Sequence, residues 1–145
     1  MSVNTYDPAE VALIVGGVPI TGLADGTFLS ISRDEQAYSK VTGADGTTSR
    51  AKSNNRAGTM TFTLKQTSPA NDVLTGFMVA DETSNNGVVP VLVKDRLGNS
   101  VAATSAAWVQ QAPDQGFSKE IEEREWVLDC GTIDIFIGGN AAQGA

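Results

Sequence analysis

A chain of 145 residues that is 41% hydrophobic is long enough to bury a core, and it reads as globular rather than disordered. Ten Lys and Arg stand against seventeen Asp and Glu, and this net −7 argues against tight nucleic-acid binding, which rests on cations neutralising phosphates. The lack of any His and the single Cys, Cys130, exclude Ser-His-Asp and Cys-His catalysis, the usual zinc sets and an internal disulfide.

The first segment, residues 1–10, is polar and acidic and lacks the basic-then-apolar order of a signal peptide. The longest apolar stretch, Val11 to Ile20, is interrupted by Gly16, Gly17 and Pro19. It falls short of the roughly 20 residues that span a bilayer. Both features predict a chain made and kept soluble in a cytoplasm. Val11 to Val15 reads as the first strand. Phe28 to Arg33 is the second, alternating Phe28, Ser30 and Ser32 against Leu29 and Ile31.

Residues 41–57 break this pattern. They hold almost no large apolar side chain and carry Arg50, Lys52 and Arg56 against Asp45. Such a segment cannot pack into a core. It is either a surface loop or a long polar hairpin arm that orders against a partner. Then Gly58 to Lys65 alternates cleanly, with Met60, Phe62 and Leu64 on one face and Thr59, Thr61, Thr63 and Lys65 on the other.

One helix is predicted over about residues 69–83. Ser68 is a good N-cap, and Pro69 suits the first helical position. Ala70, Val73, Leu74, Phe77 and Met78 form a helical stripe, which Asn85-Asn86-Gly87 ends. Val88 to Val93 is a more buried strand in which Pro90 signals an edge or a bulge. Val101 to Gln110, Glu125 to Cys130, and Thr132 to Ile137 follow, the last with Ile133, Ile135 and Ile137 on one face. The sum is about seven strands and one packed helix, a mainly β sandwich or small barrel in a single domain, 1–145. Residues 138–145 form a small, polar C-terminal tail.

No motif in the chain carries chemistry. The phosphate loop and the nucleophile elbow are both missing. Asp25-Gly-Thr and Asp45-Gly-Thr lack the further ligands of a calcium loop and read as turns. Glu120, Glu122, Glu123 and Glu125 form an acidic run better read as a solvated face than as glycosidase carboxylates. Trp108 and Trp126 lie in strand patterns and suit packing. The basic arm and the acidic run together are either the complementary patches of a head-to-tail contact between identical subunits or a solvated acidic surface beside an unrelated basic loop, and charge alone favours neither.

Several runs carry a family resemblance: Tyr6 to Gly22, Ala24 to Phe28, Gly43 to Gly46, Gly58 to Asp72, Phe117 to Ile121 and Arg124 to Leu128. Over most of its length the chain resembles the tail tube proteins of contractile-tailed bacteriophages. The resemblance implies a tail-tube-like β-sandwich or barrel that needs no cofactor. It implies homo-hexameric rings stacked into a hollow tube, in company with sheath, baseplate and tail terminator proteins. Tape measure protein and DNA would occupy the lumen transiently, and the subunit itself would not insert into a membrane. Assembly would take place in the host cytoplasm and end in the virion.

Within that expectation, Val41, Asp45, Arg50, Lys52, Asn54, Asn55 and Arg56 are candidates for contacts between subunits or rings. Glu120, Glu122, Glu123 and Glu125 are the complementary acidic patch. Thr59, Thr61, Thr63 and Lys65 belong to a lumen or outer face. Two rival readings stand beside this one. The first is the tube subunit of a tailocin or type VI secretion-like machine. The second is a monomeric β-sandwich binding module with Trp108 and Trp126 exposed in a cleft.

Overall fold

The alternating strand around Phe62 sits in the middle of the architecture. A computed structural model describes residues 3–140 together with the backbone of 142–143. In chain order the strands are β1 (Val3–Asn4), β2 (Val11–Val15), β3 (Val18–Pro19), β4 (Leu29–Arg33), β5 (Tyr38–Thr42), β6 (Thr48–Lys52) and β7 (Gly58–Lys65). After helix α1 (Ala70–Ser84) come β8 (Val89–Asp95), β9 (Val101–Gln111), β10 (Glu123–Cys130), β11 (Asp134–Phe136) and β12 (Ala142–Gln143). The main sheet runs β3-β2-β8-β9-β10-β7-β4, with β11 also on β9, and its pairings are antiparallel. β1 pairs with β12 separately. The expected tail, 138–145, lies partly outside the described residues.

The chain after β3 closes this sheet. Ile20 N–H donates to Leu13 O on β2. A few residues later Ala24 N–H donates to Thr63 O, and Lys65 N–H donates to Gly22 O. Leu23 bridges Leu64. Residues 18–24 therefore join the β2 edge to the β7 edge, curling the sheet into a barrel. Closure removes edges that would otherwise pair with other chains.

Period two decides what fills the barrel. Met60, Phe62 and Leu64 of β7 point inward and are fully buried. Opposite them on β10 stand Leu128, Trp126 and Arg124, in register with Met60, Phe62 and Leu64. Leu13, Val15, Val91 and Val93 supply the far wall. Each large apolar side chain buried this way contributes about 1.5–3 kcal/mol.

Pro90 lies in an interior strand, between β2 and β9. It is accommodated by a register shift between Val89 and Val91, so it marks a bulge and not an edge. Residues 132–137 differ from expectation at their end. Ile133 is buried and Ile135 partly so, but Ile137 is 89% exposed. The strand stops at Phe136 because Ser100 Oγ donates to Gly138 O and accepts from Gly138 N–H, which turns the chain away.

The helix packs Ala70 and Leu74 into the same core, with Phe77 and Met78 against its rim. Ser68 caps it, as its oxygen accepts from Ala70 N–H at 3.2 Å. The same hydroxyl donates to Thr21 O and so ties the helix start to the closing segment. Asn85 ends the helix in the left-handed conformation, φ 58°. Gly16 has φ +59°, and a Cβ there would lie 2.6 Å from the Phe77 ring, so helix and β2–β3 turn meet at a glycine. Ser68→Ala removes the cap and orphans Thr21 O. Urea denaturation should show a loss of about 1–2 kcal/mol with an unchanged slope.

Candidate functional site

The polar arm is an ordered hairpin. It begins at Tyr38 and pairs β5 with β6 through to Lys52, earlier than the expected start at Val41. All ten of its strand residues are exposed, and Ser53 N–H closes its base on Ala37 O at 2.8 Å. The register places Tyr38, Lys40, Thr42, Thr48, Arg50 and Lys52 on one face. Ser39, Val41, Ser49 and Ala51 form the other, which is small and uncharged. The Arg50 guanidinium lies 4.3 Å from the centroid of the Tyr38 ring.

The remaining arm candidates have local work. Asp45 accepts from Thr47 N–H at 3.0 Å and from the Thr47 hydroxyl at 2.9 Å. These bonds hold its carboxyl below the usual range and fix the hairpin turn. Asn55 Oδ1 accepts from Ala57 N–H. Arg56 pairs with Asp134 at the base of the arm, and Asn54 is exposed beside it. The basic face therefore consists of Lys40, Arg50 and Lys52. Lys40 was outside the expected segment, although its alternation with Tyr38 and Thr42 is a signal present in the sequence.

A second surface lies on the outside of the barrel. Thr59, Thr61, Thr63 and Lys65 point outward from β7, in register with Asp129, Val127, Glu125 and Glu123 of β10. Ser30 and Ser32 of β4 extend this face beside Thr61 and Thr59. Gln110 Nε2 donates to Asp129 at 3.1 Å. The result is a hydroxyl-rich, acidic wall. The acidic run itself splits in two. Glu123 and Glu125 join the wall, while Glu120 and Glu122 sit in the loop before β10, where Glu122 N–H donates to Gln66 Oε1.

Among the described residues no cluster of acidic or Cys side chains could hold a metal. Cys130 is buried, and burial, then the charges of Asp129 and Asp34, push its thiol up to about 11. A folded subunit at pH 8 should leave a thiol reagent unreacted, and unfolding should release one equivalent. Since the folded thiol lies above its ordinary value of 9.0, the stability linked to it is intact below pH 9 and declines as pH rises towards 11. Trp126 is buried with Nε1 donating to Asn71 Oδ1 at 2.9 Å, so it offers no platform for a ligand.

Residues 15–138 match the family model described as the bacteriophage PhiTE tail tube protein. The chain belongs to the phage tail tube family. It is 30% identical to structural protein ORF10 of Pseudomonas phage KPP10, over 94% of this chain and 84% of that protein. Among solved structures it resembles the anti-feeding prophage cap, the AFP tube terminating cap, with a TM-score of 0.65 at 12% identity, over 92% of both chains. It also resembles a chain of the PVC sheath-tube complex, an extracellular contractile injection system in its extended state. That match has a TM-score of 0.62 at 14% identity, over 91% of both chains. Tail tube proteins are structural components of the virion, and a site built of faces and an arm suits such a role. No helix among the described residues is long and apolar enough to cross a membrane.

Proposed function

We propose that this tail tube protein assembles as hexameric rings that stack into a hollow tube inside a contractile sheath. The tube would conduct DNA during genome ejection, after holding tape measure protein in its lumen. The observation that carries this reading is the β5–β6 hairpin, fifteen residues from Tyr38 to Lys52 that bury nothing in their own subunit. An isolated two-stranded hairpin is marginal in water, so its partner is expected to be another subunit. Its cationic face suits carboxylates presented by a neighbouring copy.

The hydroxyl-rich wall carrying Glu123, Glu125 and Asp129 is assigned to the lumen. Carboxylates there repel phosphates, so DNA slides and does not stick. Baseplate, sheath and terminator proteins would meet the remaining surfaces, and rings would form in the host cytoplasm. Sedimentation of the purified protein tests assembly: fast-sedimenting species above a critical concentration are expected, and a monomer at every concentration would reject the reading.

A second reading keeps the same tube in a tailocin or type VI-like machine. It is favoured by the likeness to a cap and a sheath-tube complex from an anti-feeding prophage and an extracellular injection system. Neighbouring genes for capsid and terminase would decide for the phage.

A further inference from the structure

The barrel has an apolar groove of about 670 Å³ at the end where β4 finishes and β9 begins. Tyr6, Ile31, Val101, Phe136 and Ile137 line it, and Tyr6, Phe136 and Ile137 are exposed. Arg33 lies in its wall. The guanidinium donates through Nη2 to Ile133 O at 2.8 Å, but Nε is buried with no acceptor, and no carboxylate pairs with it among the described residues. Asp95, also in the wall, is already engaged by Leu97 N–H and Asn140 Nδ2. The groove thus combines exposed apolar surface with a guanidinium that no carboxylate contacts among the described residues, and an apolar insert bearing a carboxylate suits both.

The chain itself carries such an insert. The loop before β10 exposes Phe117 by 77% and Ile121 by 67%. Glu120, next to Ile121, is exposed and makes no ion pair among the described residues. The loop cannot reach its own groove. Arg33 is in register with Gly58 at one end of β7, and Glu123 with Lys65 at the other. At about 3.3 Å per residue the two ends are some 23 Å apart.

We infer that the Phe117–Glu122 loop of one copy docks in the Tyr6–Arg33–Ile137 groove of a second copy. Ile121 enters the apolar floor, and Glu120 neutralises Arg33. Donor and acceptor patches differ and lie at opposite ends of the subunit, so the contact is head-to-tail and repeats from copy to copy. It rests on the tube-subunit reading and adds to it a specific pair of surfaces other than the arm.

Cross-linking tests it on the full chain. The double variant Ile121→Cys/Ile137→Cys is assembled under reducing conditions and then mildly oxidised. Both positions are exposed, and Cys130 is buried and does not compete. The expected result is a ladder of covalent oligomers from assembled protein. Intact rings or tubes without any ladder would overturn the contact and leave the tube reading standing. If the unmodified chain forms neither rings nor tubes, both fall. In parallel, Ile121→Asp and Ile137→Asp should each stay folded by circular dichroism and lose assembly. Normal assembly of either variant would also overturn the contact.

Discussion

Replacing Tyr38–Lys52 by the dipeptide Asn-Gly leaves a folded subunit that no longer assembles. Ser53 N–H and Ala37 O already face one another at 2.8 Å, so a two-residue turn fits between them. The excised hairpin touches no core residue, since every strand residue in it is exposed. Stability to urea should therefore change by no more than about 1 kcal/mol. Assembly should be lost entirely, because Lys40, Arg50 and Lys52 leave with the hairpin. A milder probe reverses the charge of the face alone: Arg50→Glu should raise the concentration needed for assembly at low salt and flatten its salt dependence. A hairpin-free chain that unfolds, or one that still forms tubes, would show that the arm has another role.

Phe62→Ala should be the most damaging single substitution in the barrel. Phe62 is fully buried and lies in register with Leu29 on one side and Trp126 on the other. Truncation removes transfer free energy and leaves a cavity between strands that cannot collapse without breaking their ladders. The expected cost is about 3–5 kcal/mol. Domains of this size are stable by roughly 5–15 kcal/mol, so the variant keeps only part of its margin. Its Tm should fall on the order of 10 °C. Val41→Ala, at a 73% exposed arm position, is the control and should shift stability by under about 0.5 kcal/mol. Equal effects of the two substitutions would contradict the assignment of the core.

How far the sequence reveals the fold depends on contrast between faces. Gly58 to Lys65 is legible because Met60, Phe62 and Leu64 alternate with Thr, and burial follows that alternation. The helix is legible for the same reason, with Ser68 and Asn85 marking its ends. The arm is legible from composition alone, as a polar hairpin or a loop, but its strand bounds are not, since both faces of β5 and β6 meet water and no apolar period appears. Lys40 lies just before the apolar-poor stretch 41–57, so composition leaves it out although its alternation with Tyr38 and Thr42 places it on the basic face. Barrel closure through Leu23 and Leu64 is equally silent, because a single bridge between distant residues is a tertiary event. The glutamate run shows a further limit. Residues adjacent in sequence divide between a loop and a wall, and the boundary is set by Gln66, far away in the chain, binding Glu122 N–H.

A cryo-EM reconstruction of the assembled protein would show directly where the hairpin and the acidic wall lie. Stacked six-fold rings around an open lumen are expected, with Glu123, Glu125 and Thr63 on the lumen wall and the Tyr38–Lys52 hairpin lying on an adjacent subunit. A closed particle without a lumen, or a tube with that wall on its outside and the hairpin free in solvent, would contradict this arrangement.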